Sequence, residues 1–190
     1  MLRYIGLVLV AMVVVILLMG GVRYVFGQGV TSLIWLAFLV IGVVVIARNL
    51  MSNRKVADAP PEARTQALAF TPESGRAALY VLRTQFVGKA VGVNVEIDGK
   101  AVAQLKSPRF VRILLSPGAH RVSGYVGPAS GRKPGGELDL TVSAGEIIAA
   151  TCNVEPGMVG TITKFKRVEL ASVREKLAKT RMVQPDVGEV

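Results

Sequence analysis

Histidine and cysteine are nearly missing from the chain, each occurring once, as His120 and Cys152. A lone cysteine excludes an internal disulfide framework, and one cysteine with one histidine cannot make up the ligand set of a structural zinc site. Aromatic residues are 6% of the total, a thin supply for the stacking platforms that hold single-stranded nucleic acid, so nucleic acid is disfavoured as a partner. Carboxylates are also short, 13 against 23 Lys and Arg, which leaves a formal charge of +10. Such a surplus favours anionic partners without saying which.

Charge is absent altogether from residues 7–20 and 30–47. These stretches explain a mean hydropathy of +0.47, and a helix crossing a bilayer needs ~20 apolar residues. The sequence therefore predicts a transmembrane helical hairpin over residues 1–50, with Arg3 and Arg23 near the interfaces and a tight turn over the glycine-rich stretch 20–29. Tyr4, Tyr24 and Phe26 fall at interfacial depth, and Trp35 deeper. A cleaved secretory signal is the weaker interpretation, since a second apolar stretch follows and no small-x-small cleavage site intervenes. Arg3, Arg48, Arg54, Lys55 and Arg64 flank the hairpin on one side and Arg23 alone on the other. That bias places both termini in the cytoplasm of a bacterial inner-membrane, multi-pass protein.

A linker is expected over 51–74, where Pro60-Pro61 interrupts a stretch without apolar period. From residue 75 to 182 short apolar runs recur between turn signals, the rhythm of an antiparallel β-sandwich. Strands are predicted near 76–83, 93–97, 100–105, 109–115, 119–126, 137–142, 146–154 and 161–169. Val93, Val95 and Ile97 alternate with Asn94, Glu96 and Asp98, and Leu138, Leu140 and Val142 with Glu137, Asp139 and Thr141, so each run offers one face to a core and the other to water. Asp98-Gly99 predicts a hairpin turn. Ser172 and Glu175 have capping-box spacing, and Val173 with Leu177 forms the apolar stripe of a short closing helix. Residues 183–190 read as a frayed tail.

Three segments carry a resemblance: Leu79-Tyr80-Val81-Leu82-Arg83, Val95-Glu96-Ile97-Asp98-Gly99-Lys100 and Leu115-Ser116-Pro117-Gly118-Ala119-His120. Over about residues 75–180 the chain resembles a family of small bacterial β-sandwich domains of unknown function, found in envelope-associated proteins and lipoproteins. It is similar to PEGA-type domains, whose hallmark is a V-x-x-D-G hairpin followed by L-x-P-G-x-H. The resemblance implies a fold, and an extracytoplasmic location as the alternative to a cytoplasmic one.

Candidate chemistry is sparse. His120 and Cys152 share strand faces with apolar neighbours, as a structural imidazole and a core thiol do. Residues 127–134 superficially resemble a phosphate loop but lack its spacing and its Lys-Ser/Thr pair. Glu96 and Asp98, two apart, approach a metal-ligand pair without a third member. No cofactor is expected, and no catalytic set emerges. The basic residues remain: Lys164, Lys166, Arg167, Arg174, Lys176, Lys179 and Arg181 as a contact surface for anionic lipid or a protein partner, and Arg132 and Lys133 as a loop contact. The function expected is a membrane-tethered, non-catalytic binding or scaffolding protein, one that contacts a protein partner, another copy of itself or the anionic membrane surface. An accessory subunit of a transport or secretion assembly is the alternative.

Overall fold

The computed structural model describes residues 29–44, 53–86, 88–127, 136–156 and 161–190, together with Ile16, Gly20, Gly21, Tyr24, Ala47, Met51 and Ala129. It divides into two compact units, 1–47 and 48–190.

In the first unit, the described residues 29–44 are helical and are labelled α1. Among the described residues no helix is long and apolar enough to cross a membrane. The expected transmembrane hairpin is corrected accordingly, and with it the multi-pass inner-membrane placement with cytoplasmic termini, and no described helix supports an integral-membrane partnership. The predicted turn fails at the positions described, since Gly20, Gly21, Tyr24 and Gly29 are all helical. Most of the first predicted span lies outside the described residues, as do Arg3, Arg23 and Arg48. Two arginines counted toward topology serve the second unit instead: Arg54 pairs with Asp186 at 2.7 Å, and Arg64 donates to the carbonyl of Ala178 at 2.6 Å.

The second unit is a sandwich. Its strands are β1 (Ala77–Arg83), β2 (Val93–Ile97), β3 (Lys100–Leu105), β4 (Arg109–Leu115), β5 (Gly118–Val126), β6 (Leu138–Val142), β7 (Ile147–Pro156), β8 (Thr161–Val168) and β9 (Arg181–Met182). They form sheets ordered β8-β7-β1-β4-β9 and β3-β2-β5-β6. The expectation of a wholly antiparallel arrangement is corrected, because β1 pairs β7 and β4 pairs β9 in parallel. Asp98 and Gly99 join β2 to β3 with φ of 52° and 79°, as a tight hairpin turn demands.

β1 is apolar without alternation because both its faces are covered, the pattern of a strand inside a layered structure. Ala77, Leu79 and Val81 enter the core between the sheets with Val93, Val95, Ile97, Val111 and Ile113. Ala78, Tyr80 and Leu82 meet a second cluster, built with Ala67 of helix α2 (Pro61–Leu68) and Val173 and Leu177 of helix α3 (Leu170–Lys179). Each large apolar side chain so buried contributes roughly 1.5–3 kcal/mol. The Tyr80 hydroxyl donates to the Ala67 carbonyl at 2.6 Å and ties α2 down. The stretch expected as a linker is thus part of the fold.

The tail is fixed as well. Val183 is fully buried, its amide donates to the Phe110 carbonyl at 2.8 Å, and Val190 exchanges hydrogen bonds with Leu114 and Ser116. The capping box is displaced: Glu169 occupies the N-cap of α3, and Ser172 donates back to its carbonyl at 2.7 Å. Asn94 and Glu96, expected in water, are 6% and 4% exposed, and Asn94 accepts from the Gln104 amide at 2.9 Å.

A guanidinium is enclosed as well. Arg83, fully buried at the end of β1, donates to the carbonyls of Val91, Leu105 and Gly88 and so clasps the β1–β2 loop. Burial holds its pKa below the ordinary value. Arg83→Met strands those carbonyls, and urea unfolding should show a loss of about 3 kcal/mol. A loss below ~1 kcal/mol would contradict a clasp that orders the loop.

Candidate functional site

The motif residues Asp98 and His120 lie side by side. His120 Nδ1 is 2.7 Å from Asp98 Oδ2 and Nε2 is 2.8 Å from the Ser116 carbonyl, so both partners are acceptors and the geometry calls for a ring that donates from both nitrogens. Asp98 Oδ1 accepts the Arg121 amide at 2.8 Å. The pair braces the Asp98-Gly99 turn against the Ser116-Pro117-Gly118 turn. With both ring nitrogens engaged, the imidazole offers no free site for base catalysis.

Burial pulls the His120 pKa down, but the hydrogen bonds to Asp98 and Ser116 and the Asp98 charge outweigh it, and the net shift is upward. For Asp98, burial pushes up, while the Arg121 amide, His120 and Lys100 pull further down, leaving it lowered. Cys152 is buried in the core, and desolvation pushes its thiol up to about 12, partly offset by Arg83. It is protonated and inert at neutral pH. Among the described residues no three His, Cys, Asp or Glu stand together as metal ligands.

The basic residues expected to form one contact surface are divided by the sheet. Lys164, Lys166 and Arg167 lie on β8 and Arg181 on β9, the two edges of the five-stranded sheet. Four strand spacings of ~4.8 Å place them about 19 Å apart. Lys164 pairs with Glu155 at 2.6 Å and Arg167 with Glu146 at 3.0 Å. Arg174 lies over the Phe70 ring, 4.9 Å from its centroid, and Lys176 is exposed on α3. Arg132 and Lys133 lie outside the described residues.

A different set of cations converges. The β1–β2 loop, the β3–β4 connection and the passage from α3 to β9 meet in a groove of about 560 Å³, lined by Lys89, Lys106, Arg109, Lys179 and Arg181 with Ser107 and Thr180. A neighbouring groove of about 520 Å³ shares Lys106 and Arg109 and adds Arg54 and Lys55. Among the described residues three carboxylates answer these seven cations: Asp58 lies 3.3 Å from Arg109 and 3.6 Å from Arg181, Glu175 pairs with Lys179, and Asp186 with Arg54. Lys55 and Lys106 make no ion pair among the described residues. A concave surface lined by one sign of charge concentrates its field and draws counter-ions. Its Lys and Arg side chains are donors only, a chemistry of binding.

Sequence reasoning had singled out Lys179 and Arg181 from this set as contact residues, and missed Lys89, Lys106 and Arg109. The only local sign was that Lys106 and Arg109 bracket the Ser107-Pro108 turn.

No family model, no curated protein and no solved structure matches the chain. The resemblance to PEGA-type domains rests on the motif residues themselves.

The brace sets a pH dependence. The His120 contribution is fully present below its unfolded pKa, about 6.5, and is lost as pH rises through its higher folded value. The Asp98 contribution is present above about 3.8 and is lost as pH falls through its lower folded value. Thermal melts should therefore be highest between about pH 4 and 6.5 and decline on the alkaline side. Asp98→Asn should flatten that decline. An unaltered alkaline limb in the variant would refute the pairing.

Proposed function

We propose that the chain is a non-catalytic binding or scaffolding protein whose sandwich recognises an anionic partner through the groove at Lys89, Lys106, Arg109, Lys179 and Arg181. The observation that carries this is the convergence, on one concave surface, of cations contributed by segments distant in sequence. Their positions follow from the docking of α3 and β9 onto the sheet, so the array is preorganised and loses little freedom on binding. The cations of β8, by contrast, lie along an outer strand, where Lys164 pairs with Glu155 and Arg167 with Glu146. Charges on an edge strand also guard against strand-to-strand association, a use that needs no ligand.

The test uses the full chain and fluorescent polyglutamate as an anionic probe. Lys89→Glu with Lys106→Glu should weaken binding about tenfold or more, equivalent to ~1.4 kcal/mol, and wild-type binding should fall with added salt. Lys164→Glu with Lys166→Glu, on the opposite edge, should change it little. Equal loss from the two double variants would count against the groove.

A further inference from the structure

Phe86 is 77% exposed, with Lys89 Nζ 5.1 Å from its ring centroid. Lys89 itself lines the groove, so an aromatic face and the first groove cation are neighbours. The loop that presents them is held from beneath and from the side. Arg83 bonds the carbonyls of Gly88 and Val91, the Lys89 amide donates to Phe86 at 3.2 Å, and the Ser107 amide donates to Lys89 at 3.2 Å. The buried guanidinium therefore orders the loop whose Lys89 amide bonds the Phe86 carbonyl. Aromatic side chains on rigid supports are the usual anchors of protein interfaces, since little entropy remains to be lost when a partner covers them.

We propose that Phe86 and the groove together dock an extended, acidic protein segment, in which an apolar side chain seated on Phe86 is followed two positions later by a carboxylate that meets Lys89. This rests on the anionic-partner function proposed above and names the partner's chemistry. In an extended chain, residues two apart point the same way and lie ~7 Å apart, a span that suits the distance from the Phe86 ring to Lys89. Asp58, set between Arg109 and Arg181, repels a closely spaced run of phosphates but tolerates carboxylates placed either side of it. The concavity fits a chain segment better than the plane of a bilayer, and a single exposed ring gives little stacking surface for successive bases.

The experiment is fluorescence anisotropy on the full chain with two synthetic peptides, one glutamate-rich with a phenylalanine two positions before a glutamate, the other with serine in its place. The first peptide should bind about tenfold tighter. Phe86→Ala should bring it down to the affinity of the second and leave the second unchanged. Phe86 is exposed, so the substitution should not alter the circular dichroism spectrum. Equal affinity of the two peptides, or a difference that survives Phe86→Ala, would overturn the anchor while leaving anionic recognition standing. Phe86-dependent binding to phosphatidylserine vesicles or a single-stranded oligonucleotide, with neither peptide bound, would overturn the choice of partner. If no anionic probe binds, the groove's proposed role falls with it.

Discussion

β1 loses water on both of its faces, and the rest of the second unit is arranged to keep it so. One face needs the four-stranded sheet, which supplies Val93, Val95 and Ile97. The other needs a cover that no strand provides, and α2 and α3 supply it through Ala67, Val173 and Leu177. Once α3 is docked, the chain leaving it runs along β4 as β9, with Arg181 opposite Arg109. The segment before α2 then lies against the same stretch, where the Ala59 amide donates to Met182 at 2.9 Å. An apolar demand at the centre of the sheet thus carries Asp58, Arg109 and Arg181 to one place on its edge.

Charge is organised around that framework by scarcity. With few carboxylates available, most are spent on single pairs, and the groove receives too few to neutralise it. The guanidinium of Arg83, taken wholly inside, is held by backbone carbonyls, an arrangement that is tolerated because three acceptors replace much of its water. Its position links interior to surface: the same hydrogen bonds from its two terminal nitrogens order the loop that carries Lys89.

Strands were legible wherever one face met water or a turn residue intervened. The hairpin at Asp98-Gly99 needed only its turn dipeptide, and the core positions Val93, Val95 and Ile97 only period-two alternation. Parallel pairing of β1 with β7 was not legible, since it joins residues 69 positions apart at Ala78 and Ile147 and leaves no local mark. Asn94 and Glu96 were misplaced because alternation says which side a residue faces and nothing of what lies over that side. Helix α2 was hidden by Pro60-Pro61, which announces a helix start as readily as a linker. The apolar content of residues 30–47 suggested a membrane span, but among the described residues no helix is long and apolar enough to make one. The groove is a property of topology: no window of sequence contains Lys89, Lys106 and Lys179 together.

The brace at His120 and the groove are separate devices, one holding turns together and the other presenting charge, and the motif likeness concerns only the first. The central claim is that an anionic partner is met at the groove, and amide chemical-shift mapping of the isotope-labelled full chain during titration with a short polyglutamate peptide tests it most directly. Saturable shifts concentrated at Lys89, Lys106, Arg109, Lys179 and Arg181 are the predicted result. Shifts concentrated on β8 at Lys164, Lys166 and Arg167, or spread without saturation over the whole basic surface, would contradict it.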